Sequence, residues 1–371
     1  MPLLSYLWVI DLKRPIHGGN LDWAMSLMNH ETATQVVDFS ASINPLGPPQ
    51  SAIASLKAGI VELNHYPNPD YPQFRLGVAN HHHLDEKYIL PSNGAAELLT
   101  WIAWECHELE GVLLPSPCFA DYKRALKTFG VKYQFYPLDD LDKGINSPQS
   151  SRLAILINNP HNPTGKLWTR LSLQPYLEKF ALVIVDEAFM DFLPPQNQES
   201  LIDFIKDYDN LVILRSLTKF YSLPGLRIGY GISNPQTIAK WQKWRDPWSV
   251  NSLAEIAAVA CLQDKAFQEK TWQWLPPTRE SLKQGLDNIE FLQVLPSQSN
   301  FLLVKTQIPS TQLQLRLLRQ KQILIRDCVS FPELGEKYFR VAVKTHIDNQ
   351  KLLDELNKLS KAIVENQEWL S

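Results

Sequence analysis

The sequence predicts an α/β fold: a large domain built on a mostly parallel sheet flanked by helices, plus a smaller α+β domain. Three observations predict it. The chain has 371 residues, roughly 2.5 times the ~150 residues of a single domain. Its middle alternates short apolar runs with longer segments of helical period, as βα units around a parallel sheet do. After Trp248 the pattern changes to helices followed by isolated strands. Residues 1–45 then form an N-terminal arm that partly joins the small domain. Residues 46–250 form the large domain, and 251–371 the small C-terminal α+β domain with its linker helix.

Asn44–Pro49 and Tyr66–Pro72 are rich in Pro and Asn and read as turns. Ala95–Leu109 is the clearest helix, with Leu98, Leu99, Ile102, Cys106 and Leu109 on one face and Asn93-Gly94 at its mouth. Gly111–Leu114, Leu153–Ile157, Leu182–Val185 and Leu211–Leu214 read as buried strands, with helices expected over Asp121–Phe129 and Leu171–Phe180. Strands follow at Asn300–Val304 and Tyr338–Val343. The last helix carries Leu352, Leu353, Leu356, Leu359 and Ile363 at helical spacing.

Composition removes several classes of function. With 44% hydrophobic and 20% charged residues the chain can bury a core, which excludes global disorder. Lys+Arg at 36 against Asp+Glu at 39 gives a net charge of −3 with no basic block, so nucleic acid is not an expected partner. The four cysteines lie far apart without a C-x-x-C pair, which argues against a disulfide framework and a zinc site and fits a reducing, cytoplasmic setting. No apolar run reaches the ~18 residues of a membrane span. Met1–Ile10 lacks the basic start and small-residue cleavage site of a leader, so the chain reads as mature and soluble. His81-His-His83, followed by Asp85-Glu-Lys87, reads as solvated surface rather than a metal site. Trp241, Trp244 and Trp248 read as packing of an interdomain helix.

The chemistry is concentrated at strand ends. A lysine such as Lys219, after the strand that ends near Ser216, can sit in an apolar wall where desolvation frees its amine as a Schiff-base nucleophile. Alone it reads first as an exposed surface lysine beside an unrelated hydroxyl cluster. Asp186, at the end of another strand, changes the balance: a carboxylate beside a pyridine nitrogen keeps that nitrogen protonated, as pyridoxal phosphate (PLP) requires to act as an electron sink. An Asp-Glu pair after an apolar strand also suits Mg²⁺, but no G-x-x-x-x-G-K-[ST] loop accompanies it. Asn158-Asn-Pro-His-Asn-Pro-Thr-Gly165 places Asn162 at a strand's carboxyl end, where open α/β sheets hold ligands, although turn chemistry alone also explains the string. Asn93-Gly-Ala-Ala-Glu97 exposes helix N-terminal amides which, with Ser216 and Arg227, form a phosphate cup; simple capping is the alternative.

This ordered set resembles the class I/II aminotransferase superfamily, the fold type I PLP enzymes, over nearly the whole chain. Within it the chain is similar to the histidinol-phosphate aminotransferase branch, and nearest to the L-threonine-O-3-phosphate decarboxylases of cobalamin biosynthesis. The finer resemblance rests on His17-Gly-Gly-Asn20, Asp38-Phe-Ser-Ala-Ser-Ile-Asn-Pro-Leu-Gly47, Asp186-Glu-Ala-Phe-Met-Asp-Phe192 and Arg215-Ser-Leu-Thr-Lys-Phe-Tyr221. Pro247-Trp-Ser-Val-Asn251, Ile323-Leu-Ile-Arg-Asp-Cys328 and Tyr338-Phe-Arg-Val-Ala-Val343 add to it.

The resemblance implies a PLP-binding large domain in which Lys219 is the Schiff-base lysine, Asp186 pairs with the ring nitrogen and Asn162 bonds the ring oxygen. Gly94, Ala95, Ser216 and Arg227 would hold the cofactor phosphate, and Phe119 would stack on the ring. Tyr66 would reach the neighbouring subunit's cofactor phosphate, which implies a homodimer. At the substrate end it points to Arg340 for the carboxylate and to His17, Asn20, Asn44 and Arg326, with no metal.

The chain departs from the branch at three places. Phe189 stands where a tyrosine is usual, as in the decarboxylases, while Ser42 and His161 each replace an asparagine. The expected reaction is decarboxylation of L-threonine O-3-phosphate to (R)-1-amino-2-propanol O-2-phosphate, with histidinol-phosphate or other amino-acid transamination as the alternative. A non-catalytic binding protein of the same fold would lack Lys219 or Asp186, and both are present.

Overall fold

The structure is a computed structural model that describes residues 14–28, 36–143 and 150–364. The opening segment Met1–Ile10 lies outside the described residues. In chain order the strands are β1 (Val37–Asp38), β2 (Ile89–Ser92), β3 (Gly111–Ser116), β4 (Tyr133–Pro137), β5 (Leu153–Asn158), β6 (Leu182–Asp186), β7 (Leu211–Ser216) and β8 (Gly229–Ser233). They are followed by β9 (Leu292–Val294), β10 (Phe301–Thr306), β11 (Ile323–Leu324), β12 (Arg326–Asp327) and β13 (Tyr338–Ala342).

The chain forms two compact units. The larger comprises residues 43–276 and 297–300; the other comprises the described residues of 1–42 with 277–296 and 301–371. The boundary therefore falls after Pro276 rather than at residue 251, because the helix Ser252–Gln263 packs on the helices Gln50–Gly59 and Pro72–His82 of the larger unit. Trp241, expected in an interdomain helix, is instead buried in the larger unit's own core beside Leu98, Ile102 and Ile238.

In the larger unit seven strands form one sheet in the order β2-β8-β7-β6-β5-β3-β4. The ladders β7–β6–β5–β3–β4 are parallel, and β8 runs against both its neighbours. The inner strands are continuous apolar runs, Leu182 to Val185 in β6 and Leu211 to Leu214 in β7, with every residue buried, as a sheet covered on both faces demands. Polar residues enter only at their carboxyl ends: Asn158 on β5, Asp186 on β6 and Ser216 on β7. The register pairs Asn158 with Asp186, and Asp186 with Leu214, so β5 and β6 end level and β7 runs two residues further to Ser216. Ligands bind beyond such strand ends in open α/β sheets.

The smaller unit holds an antiparallel sheet in the order β12-β13-β10-β9 and the parallel pair β1-β11. The helix Leu21–Ser26 buries Trp23 and Ala24 against Leu318 and Leu324, while Leu303, Cys328 and Phe331 form a second cluster. No described helix is long and apolar enough to cross a membrane.

The histidine tract departs from expectation. His82 is half-buried and bonds the hydroxyl of Tyr230 on β8 at 2.7 Å through Nε2. Burial lowers the His81 pKa to about 4. A polar sequence flank does not reveal that the helix Pro72–His82 turns these rings inward.

Candidate functional site

In the larger unit the predicted residues gather at the carboxyl ends of β5, β6 and β7. Ser216 caps the short helix Leu217–Phe220, and its Oγ lies 2.7 Å from Thr218 Oγ1. Lys219, half-buried, follows on that turn, and its charge is near enough to Asp186 to favour the ionised carboxylate. The two residues therefore share one site. Burial raises the Asp186 pKa, opposed in order by Tyr122, the Ala188 N–H and Lys219.

Tyr122 is the residue that sequence reasoning missed. Its hydroxyl donates to Asp186 Oδ2 at 2.5 Å and it is 2% exposed. It lies in the first turn of the helix Ala120–Thr128, whose N-cap is Phe119, and the two rings meet edge to face at 5.6 Å. Phe119 is half-buried beside the strand ends, in position to cover a planar ring.

Two glycines shape the phosphate cup. Gly94 has φ +71°, and a Cβ there would stand 2.6 Å from Arg227 Nη2, so the guanidinium lies directly on its backbone. A Cβ on Gly229, at the start of β8, would stand 2.9 Å from the Ala95 nitrogen, and Gly229 pairs in register with both Ser92 and Ser216. Only glycine permits this approach of the amide end of the helix Ala95–Glu105 to the ends of β7 and β8. A cationic guanidinium, helix N-terminal amides and two hydroxyls within one glycine-built hollow fit a phosphate ester. A lysine and a buried carboxylate on neighbouring strand ends fit the aldehyde and ring nitrogen of PLP.

Asn162 is half-buried, and its backbone N–H donates to Asn158 Oδ1 at 2.7 Å, which fixes the turn after β5. His161 is fully buried: Nε2 donates to the carbonyl of Pro117 at 3.0 Å and Nδ1 accepts from Thr164 Oγ1 at 2.8 Å. It thereby ties the turn that carries Asn162 to the segment that carries Phe119. Burial holds its pKa at about 4, so the ring is neutral.

Asn44, expected at the substrate, is 1% exposed, and the structure gives its side chain an internal task. Nδ2 donates to Phe220 O at 2.9 Å and Thr271 Oγ1 at 3.0 Å, Oδ1 accepts from Leu46 N, and its backbone N–H bonds Lys219 O at 3.1 Å. It holds the chain around Lys219. Phe189 is buried and stacks on Phe192, so the hydroxyl usual in the branch is absent from the cofactor side. Tyr66 is 81% exposed and rests on Trp248, ring centroids 4.7 Å apart.

The smaller unit carries the arginines. Arg326 on β12 and Arg340 on β13 are direct register partners, 4% and 8% exposed. Arg340 bonds Ser40 O at 3.0 Å and lies over the Phe301 ring at 5.0 Å. Burial first, then the charge of Arg326, lowers its pKa to about 10. Arg326 bonds the carbonyls of Pro15 and Ile16 and, at 2.5 Å, Ser330 Oγ, so it fixes the segment leading to His17. His17 and Asn20 are exposed in an open hollow of about 740 Å³ lined by residues 14–22. The Asn20 side chain caps the helix Leu21–Ser26 through Trp23 N at 2.9 Å.

Comparison with known proteins adds to this geometry. The family model described as aminotransferase class I and II matches residues 34–356. A threonine-phosphate decarboxylase of Salmonella typhimurium is 35% identical over 94% of this chain and 97% of its own. Among solved structures, the L-threonine-O-3-phosphate decarboxylase of Porphyromonas gingivalis has a TM-score of 0.80 at 25% identity, covering 87% of this chain and 99% of that one. The histidinol-phosphate aminotransferase of Clostridium acetobutylicum has a TM-score of 0.79 at 31% identity, covering 87% and 98%.

Proposed function

The chain belongs to the class I and II aminotransferase family, and on that footing we propose that it is a PLP-dependent carboxy-lyase. It converts L-threonine O-3-phosphate to (R)-1-amino-2-propanol O-2-phosphate and CO₂, in cobalamin biosynthesis. The observation that carries the choice of substrate is the buried register pair Arg326–Arg340. Two guanidinium groups opposed in one ladder repel each other, and a substrate bearing both a carboxylate and a phosphate relieves that repulsion. Asp327 Oδ1, 3.7 Å from Arg326, offsets part of that arginine's charge, and a substrate with both anionic groups supplies a partner for each guanidinium.

When bound, PLP supplies an electron sink for the pair released as a bond at the substrate Cα breaks. The Gly94 and Ala95 amides, Ser216 and Arg227 bind its phosphate. Asp186 holds the proton on the ring nitrogen, Asn162 donates to the ring oxygen, Phe119 covers the ring face, and Lys219 Nζ is the covalent tether. Arg340 binds the substrate carboxylate, its planar fork matching two oxygens. His17, Asn20 and Arg326 form the phosphate end, with Arg326 acting also through the segment it fixes. This anchoring would orient the substrate so that its carboxylate, rather than the Cα hydrogen, is the group lost, and Lys219 Nζ would deliver a proton to Cα in place of the departing CO₂.

The enzyme works as a homodimer in the cytoplasm. Exposed Tyr66, with Ile60, Val61 and Leu63 exposed in the preceding segment, supports an interface there in which Tyr66 reaches the neighbouring cofactor phosphate. The four buried free thiols agree with a reducing compartment.

An assay of L-threonine O-3-phosphate and histidinol phosphate side by side, each with and without 2-oxoglutarate, tests the reading. CO₂ release from the first without any acceptor is expected. Acceptor-dependent turnover of histidinol phosphate alone would replace the decarboxylase by the aminotransferase.

A further inference from the structure

A buried carboxylate stays ionised only where donors replace lost water. Asp186 is 8% exposed and has two such donors, one on each oxygen: Tyr122 Oη on Oδ2 at 2.5 Å and the Ala188 N–H on Oδ1 at 3.0 Å. Two donors on different oxygens fix the plane of a carboxylate, which one donor leaves free to swing. The Ala188 amide belongs to the turn that Asp186 itself begins. Tyr122 comes from another element, 64 residues away in sequence, and adjoins the cap residue Phe119. Its helix thus delivers both the ring cover and the hydroxyl that aims the carboxylate.

We propose that Tyr122 is the positioning residue for Asp186, holding the carboxylate ionised and in one plane with a lone pair left for the protonated ring nitrogen of PLP. The inference rests on the reading of Asp186 as the ring-nitrogen partner. Burial and the Asp186 charge push the phenol's pKa well above its ordinary value, so the proton stays on Tyr122 and the hydroxyl remains a donor. The charged and titratable groups that bear on the pair are Lys219 on the Leu217–Phe220 turn, Cys118 at the start of the Phe119 segment, and Tyr136 on β4.

The test is titration of the cofactor-free full chain with PLP, read by quenching of intrinsic fluorescence between pH 5.5 and 8.5. Tyr122→Phe keeps the ring and removes one oxygen. Its PLP Kd is expected to rise about tenfold at neutral pH, the usual loss for a hydrogen bond to a charged group. The fall in affinity on acidification should begin at a higher pH than in the unaltered chain, because the carboxylate without its donor takes up a proton more readily. A role confined to packing would leave that pH profile in place. Replacement of Tyr122 by 3-fluorotyrosine, a stronger donor of nearly the same shape, should move the profile the other way and covers the case of a misfolded phenylalanine variant.

Unchanged affinity and profile in both variants would overturn the inference. Asp186→Asn separates the two levels: if it too leaves PLP binding unaltered, the assignment of Asp186 fails. If it weakens binding while both Tyr122 variants behave as the unaltered chain, only the role of Tyr122 fails.

Discussion

Arg326 and Arg340 are register partners on adjacent antiparallel strands, both more than nine-tenths buried. Like charges directly opposite destabilise a ladder, and burial first, then the charge of Arg326, lowers the Arg340 pKa to about 10. Arg340→Met should therefore leave the thermal midpoint of the substrate-free enzyme within about 2 °C or raise it, since apolar replacement of buried charge is often neutral or stabilising. The same change should raise KM for L-threonine O-3-phosphate by roughly 30- to 150-fold, the worth of a charge-assisted bidentate bond. Calorimetry and acceptor-free CO₂ release read the two effects separately. A large fall in midpoint with KM intact would make Arg340 a structural residue.

A third buried arginine behaves in the opposite way. Arg215 has no exposed surface and pairs with Glu187 at 2.9 Å and Asp191 at 2.5 Å, with Ser200 bridging to Glu187. Glu187 follows Asp186 and Arg215 precedes Ser216, so the pair joins the ends of β6 and β7. Arg215→Met strands two carboxylates without their cation, and urea unfolding should show a loss of about 3–5 kcal/mol. Replacing Glu187, Arg215 and Asp191 together by apolar residues of like volume should recover most of it. No recovery would mean that the loss comes from packing.

These arginines also mark how far the sequence could be read. β5, β6 and β7 were legible because a strand buried on both faces must be continuously apolar, and the polar residues that break each run at its end lie at the candidate site. β2 and β8 were not expected: Ile-Leu-Pro-Ser and Gly-Tyr-Gly-Ile-Ser carry proline or glycine that reads as turn, and in β8 Gly229 leaves room for the Ala95 nitrogen while Gly231 packs against Leu98. The placing of Arg326 and Arg340 at the substrate end came only through family resemblance, and their facing was not expected, since a ladder register leaves no mark in spacing. Tyr122 had no signal at all. A single tyrosine on an amphipathic helix looks like core, and its partner is defined by tertiary contact alone. The same reason turned His81 and His82 from surface into partly buried rings, while His83 stays exposed.

The covalent tether gives the most direct test of the larger unit. Lys219→Ala should yield protein that still binds PLP through the Gly94–Arg227 cup but releases it on dialysis. The unaltered chain should be yellow and keep the label after borohydride reduction. Retention of a borohydride-stable label in the variant, seen by mass spectrometry, would move the tether to another lysine.

His161 supplies a pH test whose sign follows from its surroundings. Burial lowers its folded pKa from 6.5 to about 4, so between those values the unfolded chain binds a proton that the folded chain does not. Stability is then fully present above pH 6.5 and is lost as pH falls toward 4, at about 1.4 kcal/mol per pH unit for each such group. His161→Asn keeps a donor for the Pro117 carbonyl and an acceptor for Thr164 while removing the titration. It should fold, bind PLP within about threefold of the unaltered chain, and show a pH dependence of unfolding free energy shallower by about one proton across that window. The remaining slope belongs in part to His81, which is also held at about 4 by burial, so His81→Asn should flatten it further and additively. Should His161→Asn leave the slope intact, the imidazole must already be protonated in the folded chain, and Nδ1 could not then accept from Thr164.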